Sequence, residues 1–426
     1  LKVWLLKEGE PLPSDNSGDR LFRMGMLAEE LAKKGHEVIW WSSTFNHTKK
    51  QYRHKEDKQI SIAHNYKLEL IHSISYKGNI SLRRVIHQTH TAKKFARRAR
   101  QLPRPDLIFC AMPTIDLAYE AAKLGTEYNI PVVLDIRDLW PDIYADYFPA
   151  PLKNIVKFMS SFSRRTLSQA CNQAYAITGL TTEYLNWGIN YANRLQSSWD
   201  RVFPLGYKTI TYDDKQLEDG ISFFEQQGIA SDDFIACFFG QIGYAVDLDT
   251  VLQAAELTRE NKRIKYVLCG TGEKLEGLKA KAKGLSNVYF PGWVDANQIQ
   301  ALMRISKVGI IPYKQSKNYE MNLPNKFAEY LSGALPMLLS VRGIMKETCE
   351  ANQCGHYYEN EIDLANYLYE LELNESVRQE MSKNSKKLFD NHFKAEKIYD
   401  EISNYLVQIV DNHKAEIKST ALLASK

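Results

Sequence analysis

The stretch Leu323–Pro336, LPNKFAEYLSGALP, decides how the rest of the chain is read. Pro324 and Asn325 lead straight into Lys-Phe-Ala-Glu-Tyr-Leu, and Gly333 and Pro336 close the run, so the pattern predicts a short helix opening near Asn325. Lys326 then falls in its first turn. That end of a helix carries partial positive charge and favours anions. A lysine there needs either a solvated face or a negative group at the helix end.

Working outward, strands and helices alternate on both sides of this stretch. KVWLL, RLFRMGMLAEELAKKG and HEVIWWSS open the chain, followed by DLIFCAM, AYEAAKLGTEYN and PVVLDIRD. After QAYAIT and RVFPLGYK a second series runs through DFIACFFG, DLDTVLQAAELTREN, IKYVLCG, EKLEGLKAKAKGL, NVYFPG, QIQALMRISK and VGIIPY. Such alternation builds parallel sheets with crossover helices. The expected fold class is α/β, with two doubly wound, Rossmann-like domains facing across a cleft. Residues 1–205 form the first, 206–390 the second, and 391–426 a C-terminal helix that crosses back and ends in a frayed tail. The boundary falls between Phe203 and Asp214, and YKTITYDDKQLEDG, from Tyr207 to Gly220, reads as connector. A chain of 426 residues exceeds one ordinary core, and ligands of such sheets bind beyond the carboxyl ends of the strands.

Composition narrows the class. Apolar residues make up 44% and charged residues 25% of the chain, as in globular proteins. No apolar run reaches the roughly 20 residues of a membrane span, and the apolar run of LKVWLLKEGE is too short for a signal peptide. The six cysteines are scattered, which predicts free thiols in a reducing cytoplasm. A net charge of +4 is too small to argue for nucleic acid. It is concentrated, however, between Ser81 and Gln101, which holds Arg83, Arg84, Lys93, Lys94, Arg97, Arg98 and Arg100 and no acid. That segment reads either as a solvated helix face or as a surface for anionic lipid headgroups.

Three loops have the glycines that let a backbone approach a phosphate: Ser17-Gly18-Asp19-Arg20, then Gly240 to Gly243, then Gly270 to Gly272. Tight turns in α/β proteins need glycine in any case. No G-x-x-x-x-G-K-[ST] is present, and CGTGEK does not complete a dinucleotide fingerprint, so a P-loop enzyme or a dehydrogenase is not indicated. In LDIRDLWPDIY, the groups Asp135, Arg137, Asp138, Asp142 and Trp140 crowd the end of an apolar strand, where charges either grip a polar ligand or satisfy one another.

Taken in order, these segments resemble the retaining glycosyltransferase family 4, whose members have the GT-B fold. The resemblance covers nearly the whole length. NSGDRLFRMGMLAEELAKKGHEV is similar to the family's glycine loop, arginine and first helix. DIRDLWPD and SYKGNISLRRVIHQTH are similar to signatures of a bacterial cell-surface polysaccharide branch. FFGQIGYAVDLDTVLQAA, YVLCGTGEK, NVYFPGWVDANQIQALM and LPNKFAEYLSGALP follow in family order.

The resemblance implies a transferase that moves a hexosyl or N-acetylhexosaminyl group from a nucleotide diphosphate sugar, UDP-linked, to a glycan or lipid-linked acceptor. Glu329 takes the place of the glutamate that holds the donor ribose. The amides of Asn325 to Phe327 and the charge of Lys326 would meet the diphosphate, Gly243 would approach the diphosphate or sugar, and Gly272, Trp293 and Val294 would line the nucleobase side. Gly18, Arg20, Arg137 and Asp138 fall on the acceptor side, with Asp138, Lys326 and Glu329 as the catalytic set. No tightly bound cofactor or metal and no nucleic acid is expected. The implied location is cytoplasmic, peripheral on the inner face of the plasma membrane, and a hinge is expected near Gly206. Three departures stand out: Met321 replaces the first glutamate of the donor motif with Glu320 beside it, Arg137 replaces a frequent histidine, and GQIGYAV lacks a lysine. A nonhydrolysing nucleotide-sugar epimerase and a noncatalytic sugar-nucleotide-binding scaffold remain as alternatives.

Overall fold

The computed structural model describes residues 1–15, 20–78 and 81–424. They divide into one unit of Leu1–Pro204 with Glu396–Lys426 and another of Leu205–Ala395. In the first, the strands are β1 (Lys2–Leu6), β2 (Glu37–Ser43), the short pair β3 (Phe45–Asn46) and β4 (Gln51–Tyr52), β5 (Lys58–Ala63), β6 (Tyr66–Ile71), β7 (Leu107–Ala111), β8 (Val132–Ile136), β9 (Ala176–Gly179) and β10 (Arg201–Val202). The helices are α1 (Arg23–Lys33), α2 (Leu82–Ala99), α3 (Ile115–Tyr128), α4 (Ala150–Met159), α5 (Ser161–Gln173) and α6 (Thr182–Ala192).

The main sheet runs β10-β9-β8-β7-β1-β2-β6-β5 and is parallel except where β5 meets β6. Its central strands β7 and β8 are buried along their whole length, as parallel strands covered on both faces must be, which is why they read as unbroken apolar runs. Register places Asp135 beside Ala111 of β7 and Thr178 of β9, so an acid stands inside the sheet one residue from its carboxyl edge.

The second unit holds α7 (Asp214–Glu225), β11 (Phe234–Phe239), α8 (Leu248–Leu257), β12 (Ile264–Cys269), α9 (Leu275–Lys281), β13 (Val288–Gly292), α10 (Ala296–Ile305) and β14 (Val308–Ile311). Then come α11 (Lys317–Glu320), α12 (Asn325–Ser332), β15 (Met337–Leu339), α13 (Ile344–Ala351), β16 (Gly355–Tyr357), α14 (Glu361–Leu373) and α15 (Glu375–His392). Its sheet is β13-β12-β11-β14-β15-β16, parallel throughout, and the strand order reverses between β11 and β14. Both units are therefore doubly wound and Rossmann-like, as expected.

Two segments differ from the sequence reading. The connector ends at Asp213, because Asp213 and Gln216 form a reciprocal capping box that starts α7 within the stretch taken as linker. The C-terminal helix α16 (Ala395–Ala424) runs on through the tail expected to fray. It belongs to the first unit, burying Tyr399, Ile402, Tyr405 and Ile409, with the Tyr405 hydroxyl donating to the Trp199 carbonyl at 2.7 Å. Helix α2 buries His87, Thr91, Phe95 and Ala99, while Val85 and Ile86 are exposed. Among the described residues no helix is long and apolar enough to cross a membrane.

Candidate functional site

In the second unit the carboxyl ends of β11 and β12 each turn on glycine. Gly240 N donates to the Cys269 carbonyl at 3.0 Å, Ile242 N to Thr271 O at 2.9 Å, and Lys274 N to Ile242 O at 3.2 Å. The two loops thus lie against each other. A Cβ on Gly270 would stand 1.8 Å from Gly240 O, and one on Gly272 2.3 Å from Ile242 O. Both glycines also have φ in the region closed to most side chains, +141° and +156°. The immediate reason for these two glycines is loop-to-loop packing. Gly243 is less constrained, its nearest neighbour being the Glu273 carboxylate.

Helix α12 begins after Pro324 with no side chain capping its first amides and no acid in its first turn; Asn325 is exposed. Phe327 and Tyr330 fix it to the sheet. Phe327 meets Phe393 edge-on at 5.7 Å, and the Tyr330 hydroxyl donates to Cys237 O at 3.0 Å. This face also drags Lys326 inward. Only 7% of Lys326 is exposed, and its Nζ lies 4.6 Å and 4.5 Å from the ring centres of Phe238 and Phe239. Any side chain at Gly240 would come within 2.9 Å of that nitrogen. The ammonium makes no hydrogen bond among the described residues. Burial pulls its pKa down to about 8, with the Glu329 carboxylate one turn along acting the other way. A desolvated, unbridged cation beside uncapped helix amides is what an anion site requires.

Around α12, Glu320 closes the short α11 and accepts from the Gln315 amide, whose oxygen accepts from Arg342 N at 3.1 Å. The Gly343 turn, φ +85°, packs on the Glu320 carbonyl. Glu320 is thus tied into local structure, and Met321 caps the helix after it. Trp293 is 69% exposed after β13, whereas its neighbour Val294 is buried. Sequence reading missed Tyr244, exposed in the Gly243 loop with Lys274 Nζ 5.3 Å from its ring centre.

In the first unit the acids of DIRDLWPD separate by role. Asp135 is fully buried between two arginines: Arg23 Nε and Nη2 each reach it at 3.0 Å, Thr178 Oγ1 donates at 2.8 Å, and Arg137 Nε donates as well. Arg137 also pairs with Glu10, which accepts from Met24 N at 3.0 Å. Burial alone would raise the Asp135 pKa, but Arg23 and Arg137 outweigh it and hold the carboxyl well below the usual range. Arg137 is therefore committed to Asp135 and Glu10. Asp142 is likewise taken up by Arg164, Trp187 and Tyr191 at 2.8–2.9 Å.

Asp138 differs. It accepts from Leu139 N at 2.8 Å and Trp140 Nε1 at 2.7 Å, yet burial keeps its pKa raised. Lys7, just past β1, donates to Met112 O at 3.4 Å and has its pKa lowered by burial and by Arg137. Arg20 precedes α1, partly buried, and Gly18 lies outside the described residues. Lys7, Glu10 and Arg23 were missed because no local pattern links positions so far apart in sequence. The six cysteines are all buried and free. Among the described residues no group of His, Cys, Asp or Glu stands ready to hold a metal ion.

Comparison with known proteins follows the division into units. The family model described as Glycosyltransferase Family 4 matches residues 23–193, and that described as Glycosyl transferases group 1 matches residues 221–388. No curated protein matches the chain. Among solved structures, sucrose-phosphate synthase from Thermosynechococcus elongatus is similar at 14% identity over 96% of this chain and 99% of that one, TM-score 0.70. Anabaena Alr3699/HepE in complex with UDP and glucose is 14% identical over 96% and 99%, TM-score 0.64. WaaG, a glycosyltransferase involved in lipopolysaccharide biosynthesis, is 14% identical over 95% and 99%, TM-score 0.63. At such identities the likeness carries the fold, while the two family models between them take in most of both units. The chain is a glycosyltransferase of the family 4 type, with the GT-B pair of Rossmann-like units.

Proposed function

We propose that this glycosyltransferase moves a hexosyl or N-acetylhexosaminyl group from a UDP-linked donor, with retention of anomeric configuration, to a glycan or lipid-linked acceptor of bacterial surface polysaccharide or glycoconjugate synthesis. The observation that carries the reading is Lys326, a buried ammonium without a hydrogen bond among the described residues, at the uncapped start of α12. Charge builds on the leaving diphosphate as the bond to the anomeric carbon breaks, and preorganised positive groups aimed at that charge lower the barrier most. Lys326 and the first amides of α12, at Asn325 and Lys326, supply them, while the Phe327 amide donates to the Pro324 carbonyl at 2.9 Å. Glu329 accepts from the ribose hydroxyls. Gly243 and Gly272 admit the diphosphate and nucleoside, Trp293 offers an exposed ring to the base, and Val294 supports it from the core.

On the first unit, Asp138 meets the acceptor or the transferred sugar, and its raised pKa suits a group that shares a proton. Gly18 and Arg20 accompany it, with Arg137 acting as a fixed part of the wall. The UDP and glucose in the Anabaena HepE structure support a uridine donor. Association with the inner face of a membrane through α2 is part of the proposal. Lys94, Arg98 and Arg100 are engaged with Asp57, Glu69 and Glu127, which leaves Arg83, Lys93 and Arg97 on the exposed side.

Thermal stabilisation by UDP, GDP, ADP and CMP, in wild type and Glu329→Ala, tests the donor assignment. At a hundredfold over its dissociation constant a ligand should stabilise by roughly 2.7 kcal/mol. The expected result is a shift with UDP, measured from each protein's own unliganded melting point, that Glu329→Ala largely loses. No shift with any nucleotide would remove the reading.

A further inference from the structure

Helix α4 and the first turn of α5 turn their apolar side outward. Leu152, Ile155, Met159 and Phe162 recur at helical spacing on one stripe with Phe158 beside them. All five are exposed, Phe158 at 80% and Met159 and Phe162 at 74%. An amphipathic helix serving only the fold would turn this stripe to the core. Helix α4 packs chiefly on the turn Asp142–Tyr147 and on α5. A contiguous exposed apolar row marks an interaction surface.

Charge identifies the partner. From Phe148 to Thr182 the sequence carries Lys153, Lys157, Arg164 and Arg165 and no acid. The adjoining element repeats the pattern: the start of α2 exposes Leu82, Val85 and Ile86 beside Arg83. Arg84 of the same turn lies 5.2 Å from the Trp140 ring centre, on the segment that leads into α4. Both helix starts follow parallel strands, β6 and β8, so they share the carboxyl edge of the sheet. A second copy of the chain would set the Lys153 and Arg165 charges of one α4–α5 segment against those of the other, with no acid in either segment to meet them, a repulsive pairing.

We propose that α4 and the start of α5 are an insertion surface for a bilayer containing anionic lipid, the apolar row entering the acyl boundary while the flanking cations meet the headgroups. This surface is distinct from the cationic side of α2 and does not depend on the donor assignment. Its consequence for catalysis does rest on the proposed transfer: insertion would hold the Asp138 end of β8 at the level where a lipid-linked acceptor presents its sugar.

The test is co-sedimentation of the full chain with phosphatidylcholine vesicles with and without phosphatidylglycerol. Wild type should sediment with the anionic vesicles. Phe158→Ser, Met159→Ser and Phe162→Ser combined should lower the partition coefficient about tenfold or more, with an unchanged melting temperature because these side chains are exposed. Lys153→Gln with Arg165→Gln should lower it about fivefold per charge, on anionic vesicles only. Lys93→Ser with Arg97→Ser reads the α2 surface separately. If only that variant lost binding, insertion at α4 would be overturned while the α2 reading stood. Wild type ignoring both vesicles, or forming a dimer that the triple serine variant abolishes, would also overturn it.

Discussion

Replacing Lys326 by methionine keeps most of the side-chain volume and removes the charge. In the resting protein that ammonium sits among Phe238, Phe239 and Tyr330, and burial takes its pKa from 10.5 to about 8. A gap of this size corresponds to about 3 kcal/mol against the charged form. An unfolded lysine holds its proton to about pH 10.4, so between about pH 8 and that value the unfolded chain binds more protons than the folded one. Stability contributed by this site therefore rises with pH across that window, and below about pH 8 the whole penalty is present. Lys326→Met should stabilise the unliganded Leu205–Ala395 unit at neutral pH by about 1–3 kcal/mol, after the lost cation–π attraction is allowed for. It should also flatten the stability profile above pH 8. The same change should abolish stabilisation by UDP, since the wild-type site gains from a diphosphate what it lacks in solvent. UDP binding to wild type near pH 8 should take up about half a proton, because the ligand returns the lysine toward its ordinary pKa. Calorimetric melting with and without UDP across this pH range, and titration in two buffers of different ionisation enthalpy, measure both effects. A methionine variant less stable than wild type at neutral pH, with an unchanged profile or an undiminished UDP shift, would refute the reasoning.

Other outcomes follow from the same geometry. Asp135→Asn leaves Arg23 buried without its counter-charge and Arg137 with Glu10 alone, and should cost about 3–5 kcal/mol in denaturant unfolding. It should also remove a stabilisation that wild type holds above the ordinary aspartate pKa and loses as pH falls through the depressed folded value. Gly270→Ala meets the Gly240 carbonyl and an unfavourable φ, so it should cost about 2 kcal/mol or more and weaken UDP binding through the displaced loop. Gly277→Ala in α9, where a Cβ meets nothing within 4 Å, should instead stabilise by about 0.5–1 kcal/mol. Glu329→Ala should weaken nucleotide binding and, by removing the carboxylate that favours the charged form of Lys326, lower the Lys326 pKa further, read as a shift in the pH profile of stability.

The alternation of apolar strands and amphipathic helices was enough to place two parallel sheets, because a strand buried on both faces has to read as an unbroken apolar run. Helix α12 was equally legible: Pro324 sets its start, and Phe327 and Tyr330 set its inner face. The sequence also located a lysine at that start. Its state was another matter. Lys326 is desolvated because Phe238, Phe239 and the bare backbone of Gly240 close over it, and those residues come from a strand more than eighty positions earlier. The acids of DIRDLWPD could not be sorted from sequence for the same reason. Asp135 is a structural counter-charge because Arg23 of α1 and Arg137 bracket it, while Asp138 keeps a raised pKa because burial outweighs the Leu139 and Trp140 N–H groups that favour its charged form. Glycines at 270 and 272 suggested a ligand, and tertiary packing supplied a nearer cause in the carbonyls of the neighbouring loop. The outward face of α4 was hidden too, since periodicity reports that a helix has an apolar side and not which way that side points. Periodic burial is written locally into a chain. Charge pairing, desolvation and the direction of a face depend on distant segments meeting, and only the tertiary structure decides them.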